Sequence, residues 1–339
     1  VDRVASYQLP VAGFRLQGDQ PPASSFQPDG INPVPTGAVS PDSSPITNHQ
    51  SLITSSSSLV THHSSLSIVI VNYNTREDVR LCLNALRGSA YPAEVIVVDN
   101  ASSDGSAAMI RAEFPEVKLL TPNHNLWYCG GNNLGIRASS GEYVLLLNPD
   151  TIPQPDALAI MMDFLTTHPD YAGVTIQLRY PDGSLQLTCS ARRRYAHLLL
   201  EHSALGWLLP GLRRRLHAEH IYADWDRTTE RDVEAVPGSC TLMRRADVLL
   251  DDRLLLYFPE DDLAERFAGR KWRFLTGSHI IHREKSVTRT WLASRIYFRD
   301  MLAFSAKYFG RPRTALLWLL TRPLLWAMAL KRRLSASIE

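Results

Sequence analysis

Four apolar runs of strand length alternate with helical patterns between residues 67 and 167, and this alternation narrows the fold more than any other feature of the chain. The runs lie at 67–73, 94–99, 117–121 and 143–148, with helical periodicity at 76–87, 103–113, 131–139 and 155–167. EVIVVDN and YVLLLN are apolar at successive rather than alternate positions. Such strands are buried on both faces, which predicts an α/β fold with a mostly parallel sheet flanked by helices. Ligands of these sheets gather at the carboxyl ends of the strands. Three runs end there in polar groups: Asn72-Tyr73-Asn74, Asp99-Asn100 and Asn148-Pro149-Asp150. One shared crevice is the expectation.

The flanks differ. Residues 1–65 combine scattered prolines with the run Ser55–Ser58 and carry no hydrophobic period, so a disordered low-complexity segment is expected. His62-His63 reads as solvated rather than as a metal pair. After Asp170 the pattern is mixed. AGVTIQLRYPDGSLQLT predicts a hairpin around Pro181-Asp182-Gly183. VEAVPGSCTLMRRADV predicts strand, loop, strand and the start of a helix. YFPEDDLAERFAGRKWRFL predicts an acidic helix start and a final strand. Residues 290–335 read as helical, rich in Trp, Leu and Arg.

A formal charge of +2 gives no global case for a nucleic-acid partner. The four cysteines form neither a CxxC pair nor a zinc spacing, so reduced cysteines in a cytoplasmic protein are expected. The opening residues show no secretory signal pattern.

Each candidate group has two readings. Asp99 either accepts hydrogen bonds from a ribose or base, or caps a turn. Pro149 ends the strand before Asp150, which either holds a hard cation beside substrate phosphates or caps the turn. YCGGNNLG either brings backbone close to a nucleotide or forms a tight turn; the P-loop pattern is absent. Glu260, Asp261 and Asp262 either compensate a helix dipole or supply a general base. His282 is either a metal ligand or a core histidine.

Taken in order, SIVIVNYN, VIVVDNASSDGS, NLWYCGGNNLG, YVLLLNPDT, VPGSCTLMRR, YFPEDDLAERF and HIIHREKS strongly resemble the family 2 inverting glycosyltransferases, in particular a bacterial rhamnosyltransferase-like branch. The resemblance spans about 66–310. It implies a GT-A fold over 66–289, a nucleotide-diphosphate-sugar donor and Mg²⁺ or Mn²⁺. The half at 66–150 would bind the donor and that at 151–289 the acceptor, with a helical tail at 290–339. Asn72, Tyr73 and Asn74 then lie at the nucleotide end of the first strand, and Asp99 contacts base or ribose. Gly131 and Asn132 lie in a glycine-rich donor loop. Asp150 is the last acid of the metal motif, with Asn148 in place of the first, and His282 stands near metal and diphosphate. Gly238 and Ser239 fit a loop under the sugar.

One departure matters. The family shows Glu-Asp-any-Asp-Leu where this chain has Glu260-Asp261-Asp262-Leu263, one residue shorter. Anchoring on Glu-Asp makes Asp261 the base, the preferred reading; anchoring on Asp-Leu makes it Glu260. Cys129 replaces a small apolar residue, without a mechanistic account. The implied reaction is single displacement onto the hydroxyl of a glycan or lipid-linked acceptor. The rivals are a non-catalytic sugar-nucleotide or glycan binder and a sugar-nucleotide pyrophosphorylase; the latter wants a basic glycine-rich loop where this chain has Asn-Tyr-Asn-Thr.

TALLWLLTRPLLWAMALKRR, 314–333, is interrupted by Arg322-Pro323 and is too broken for a membrane span. Trp318 and Trp326 suit an interface, and Lys331, Arg332 and Arg333 suit anionic lipid; Arg192–Arg194 and Arg213–Arg215 either add to this or grip the phosphates of a lipid-linked acceptor. Peripheral attachment to the inner leaflet is the expectation, against a packed tail with a solvated basic face.

Overall fold

The computed structural model describes residues 65–284 and 291–336; the low-complexity segment up to residue 64, with His62-His63, lies outside the described residues. Strands β1 (Leu66–Asn72), β2 (Glu94–Asp99), β3 (Lys118–Leu120) and β4 (Tyr143–Leu147) pair in the order β3-β2-β1-β4, all parallel. The crossovers run through α1 (Arg76–Arg87), α2 (Ser106–Glu113) and α3 (Trp127–Ala138). Chain order moves away from β1 on one side and returns to β4 on the other. The switch point therefore falls between the ends of β1 and β4, where a crevice opens in sheets of this kind.

Beyond β4 the sheet is mixed. Strand β8 (Cys240–Arg244) is antiparallel to β4 and to β6 (Tyr171–Arg179), and β6 is parallel to β9 (Lys271–His282). Strands β5 (Thr151–Pro153) and β7 (Arg231–Val233) join β9 antiparallel. The expected parallel character thus holds for β1 to β4, where crossover helices return the chain to the same end, and beyond them the parallel β6–β9 pair is mixed with antiparallel ones. The expected hairpin closes at Gly183 with only an Arg179–Leu185 bridge as its second arm. The helix expected to start directly after β8 is absent: residues 245–247 form a turn, and Arg245 N–H donates to Glu142 O at 2.8 Å.

Alternation across the strands feeds two cores. Ile68, Ile70, Leu83, Met161 and Ile176 pack on one face with α1 and α4 (Ala157–Thr167). Val69, Val144, Leu146, Met243 and Trp272 pack on the other with α9 (Trp291–Tyr308), through Tyr297, Phe298, Met301 and Phe304. The helical end expected from residue 290 therefore divides. Helix α9 is a core element, and α10 (Arg311–Ala336) packs on it through Leu317 and Leu325. Helices α5 (Tyr195–Glu201), α6 (Leu205–Leu208), α7 (Pro210–His220) and α8 (Pro259–Arg266) complete the chain. Among the described residues, no helix is long and apolar enough to cross a membrane.

Helix α3 starts at Trp127, so the stretch expected as a glycine-rich donor loop is helical. Gly131 and Asn132 are buried in it. A Cβ at Gly131 would stand 2.8 Å from Val71 Cγ1, and one at Gly135 2.4 Å from Val69 Cγ1. These glycines let α3 lie directly on β1. Gly135→Ala is expected to destabilise by about 1–3 kcal/mol through overpacking, outweighing the better helix propensity of alanine. An unchanged melting midpoint would show that α3 rides above the sheet rather than against it.

Candidate active site

The amides ending β1 brace the sheet. Asn72 is fully buried; its Nδ2 donates to Asp99 Oδ1 at 2.7 Å and its Oδ1 accepts from Thr75 Oγ at 2.6 Å. Ser102 N–H donates to the other Asp99 oxygen at 3.3 Å. Asn74 adopts φ 54° and accepts from Ser103 N–H at 2.8 Å. Asn72 and Asn74 thus tie the ends of β1 and β2 together, and Tyr73 between them is left exposed.

The end of β4 is carried to the end of β9 by strand pairing. Thr151 of β5 registers with His282 of β9. That register places Asp150 Oδ1 3.4 Å from His282 Nε2, with both side chains mostly buried. Gln186 grips the same histidine twice: its Oε1 lies 2.9 Å from His282 Nδ1 and its Nε2 donates to His282 O at 2.7 Å. An amide oxygen accepts, so Nδ1 donates to Gln186, and Nε2 is the ring nitrogen that faces Asp150. A carboxylate oxygen and an imidazole nitrogen side by side form a donor set that suits Mg²⁺ or Mn²⁺. Two such donors are what a metal shared with substrate phosphates requires; the described residues offer no cluster of three His, Cys, Asp or Glu.

A cavity of about 300 Å³ adjoins this pair. Asn148, Gly238, Ser239, Glu260 and His282 all line it. Asn148 N–H donates to Ser239 O at 3.0 Å, which joins the end of β4 to the turn before β8. Gly238 is required by proximity: a Cβ there would stand 2.6 Å from Glu260 Oε1. Its N–H donates to that oxygen at 3.3 Å, and Tyr128 OH donates to Gly238 O at 2.6 Å. The residues at the β1 and β2 ends, and Gly131 and Asn132, do not line the cavity.

The three consecutive acids of α8 do three different things. Glu260 faces the cavity, and dense surroundings push its carboxyl up to about 7, with the neighbouring Asp261 charge adding to the rise. Asp261 turns to Arg193, whose Nε lies 3.2 Å from Oδ2 and whose Nη1 donates to Glu201 at 2.9 Å. Asp262 is pinned to α9 and to its own helix by Lys307, Tyr308 and Arg266. Arg193, expected with its neighbours as part of a basic surface, is instead a mostly buried ion-pair partner.

The turn ahead of α8 is held from α9. Asp300 is fully buried, and its Oδ2 accepts from the N–H groups of Leu255, Leu256 and Tyr257 at 3.0, 2.9 and 3.0 Å. Leu255 O in turn accepts from Tyr128 and Cys129 N–H at 2.9 and 3.2 Å. Phe258 then takes φ 67° and Pro259 starts the helix, so Glu260 leaves a rigid turn. Gln186 and Asp300 escaped sequence reasoning, and Arg193 was read there only as one of a basic run. None sits in a motif, and each acts through a partner between 43 and 96 positions away in the chain. Cys82, Cys129, Cys189 and Cys240 are free and buried.

A sequence profile described as "Glycosyl transferase family 2" matches residues 67–246, more than half of the chain. The protein is a family 2 glycosyltransferase with the GT-A arrangement of a mixed α/β sheet, flanking helices and a C-terminal helical tail. It is similar to the N-acetylglucosaminyl-diphospho-decaprenol L-rhamnosyltransferase of Mycobacterium tuberculosis H37Rv, with 25% identity over 278 residues, covering 75% of this chain and 89% of the relative. Glycosyltransferase AglE of Haloferax volcanii is 30% identical over 125 residues, 35% of this chain and 41% of that protein. Among solved structures, it is similar to the mannosyltransferase PcManGT of Pyrobaculum calidifontis in complex with GDP-Man and Mn²⁺, at TM-score 0.46 and 15% identity, covering 82% of this chain and 77% of that one.

Proposed function

We propose that the protein transfers a sugar from a nucleotide-diphosphate-sugar to a lipid-linked glycan acceptor with inversion, as one step of cell-envelope polysaccharide synthesis. The observation that carries this reading is Glu260, an uncharacteristically basic carboxylate in the same cavity as His282 and Asn148. An acceptor hydroxyl is a poor nucleophile, and a carboxylate held near neutrality takes its proton as it attacks. Glu260 therefore replaces Asp261 as the proposed base, since Asp261 is engaged by Arg193 outside the cavity. Attack on the face opposite the leaving diphosphate is a single displacement, hence inversion.

Asp150 and His282 would hold Mg²⁺ or Mn²⁺, which when bound neutralises charge on the leaving diphosphate. Gln186 holds the His282 ring with Nε2 facing Asp150. Tyr73 and Asp99 at the strand ends are assigned to the nucleoside, with Asn72 and Asn74 positioning them. Gly238 and Ser239 are assigned to the sugar. The similarity to the rhamnosyltransferase makes L-rhamnose the first donor sugar to test and a polyprenyl-diphosphate saccharide the first acceptor. A carrier of that kind, used together with a nucleotide-sugar donor, supports a reaction on the cytoplasmic face of a membrane.

The test is nucleotide release from a panel of nucleotide-sugars, with and without Mn²⁺ and acceptor. Metal-stimulated, acceptor-dependent release from one donor is expected. Donor binding without release under every condition would make the protein a binding relative instead.

A further inference from the structure

Most of the large exposed apolar side chains among the described residues fall in two places, α6–α7 and α10. Trp207, Leu208, Leu209 and Leu212 are 71%, 75%, 48% and 46% exposed, with Pro210 and Gly211 between them also exposed. The knob is seated rigidly. Gly206 lies so close to α5 that an added Cβ would meet Leu200 O at 1.9 Å. Arg213, Arg214 and Arg215 follow at once, and the sequence holds no Asp or Glu between Glu201 and Glu219.

Helix α10 repeats the design. Leu317, Thr321 and Leu325 are buried at four-residue spacing. Leu316, Leu319, Pro323 and Trp326 recur at spacings of three and four on the opposite side of the helix, all exposed. Arg322 stacks over Trp318 at 4.7 Å, and α10 contains no acidic residue. Both elements pack on α5, where Tyr195 OH donates to Arg313 O at 2.7 Å. Apolar patches of this size on a soluble domain mark an interaction surface. Tryptophan at the tip and arginine at the flank, where Glu219 is already paired with Arg215 at 2.9 Å, is complementary to the headgroup layer of an anionic bilayer.

We propose that the α6–α7 knob and the outer face of α10 are two anchors of one membrane-docking surface, with anionic phospholipid as its ligand. Trp207, Leu208, Leu319 and Trp326 enter the interface while Arg213, Arg214 and Arg322 meet phosphate. The proposal deepens the reading of a lipid-linked acceptor, because it states how the protein would be held where such an acceptor lies.

The test is flotation of the full chain with phosphatidylglycerol vesicles and with phosphatidylcholine vesicles at low and high salt. Binding to the anionic vesicles, weakened by salt, is expected. The double variants Trp207→Ser/Leu208→Ser and Leu319→Ser/Trp326→Ser should each reduce the bound fraction at least about tenfold, since each removes two inserted side chains. Binding of a soluble nucleotide-sugar should be unchanged in both, which separates a failure of docking from a failure of the glycosyltransferase reading. A wild-type chain that stays soluble with anionic vesicles overturns the proposal, as does vesicle binding that both variants retain. A wild-type dimer that the variants dissociate, without vesicle binding, would show that a second copy covers this face and would likewise overturn it.

Discussion

Glu260→Gln is expected to lower turnover by roughly 10²–10⁴-fold, the scale of a lost general base, with donor affinity nearly unchanged. Gln keeps the size of the side chain and removes its capacity to take a proton. Asp261→Asn should behave differently. It leaves Arg193 and Glu201 buried with half their partnership gone, so melting temperature falls while the chemical step persists. The reverse outcome would return the base to Asp261. A pH profile gives a second readout. The active form is the carboxylate, so the wild-type rate should rise with pH through about 7, and the Gln variant should lose that limb. Stability moves the other way. Between the ordinary Glu value of 4.5 and about 7 the folded state holds this proton more tightly than the unfolded state, so the contribution of Glu260 to stability falls as pH rises through that window.

Asp150→Ala is expected to reduce turnover by roughly 10²–10³-fold, the scale on which loss of one charge-stabilising group acts. The decisive measurement is donor binding. For the wild-type protein, Mn²⁺ should tighten donor affinity, and chelator should remove the gain. For the variant, affinity with Mn²⁺ should equal the chelated value. His282 remains in place in this variant, held by Gln186, so a local collapse does not confuse the result. A variant that still responds to Mn²⁺ would reduce Asp150 to the residue that turns the chain out of β4.

The strands of the nucleotide half were legible because burial on both faces leaves an unbroken apolar run, and β1, β2 and β4 carry one. The one crevice expected at their polar ends is lined from the β4 end alone, through Asn148, although the polar ends themselves were legible. Their division of labour was not. Asn72 looks like a ligand contact in sequence, yet its amide is used up on Asp99 and Thr75. Gly130-Gly131 looks like a loop because glycine favours loops, yet Val71 requires the missing side chain for packing. The register of Asp261 against Glu260 was undecidable from a motif one residue short. It turns on where Arg193 lies, and that residue is 68 positions away in the chain. The Asp150–His282 pair likewise depends on β5 meeting β9, a pairing that no local pattern announces.

Asp300 also imposes an order on biosynthesis. The turn that presents Glu260 is fastened by a side chain 40 positions downstream, and its three N–H groups have no other described acceptor for that role. A chain leaving the ribosome exposes the sheet first and α9 almost last, since domains are delivered from the N-terminus. The donor half can therefore form its strands while the catalytic turn is still loose. The turn that carries Glu260 is fixed only when α9 docks, whereas the Asp150–His282 pair comes together when β5 meets β9. A product that ends before α9 would lack the clamp on this turn, so a helix far from the chemistry in sequence acts as the step that sets the proposed base.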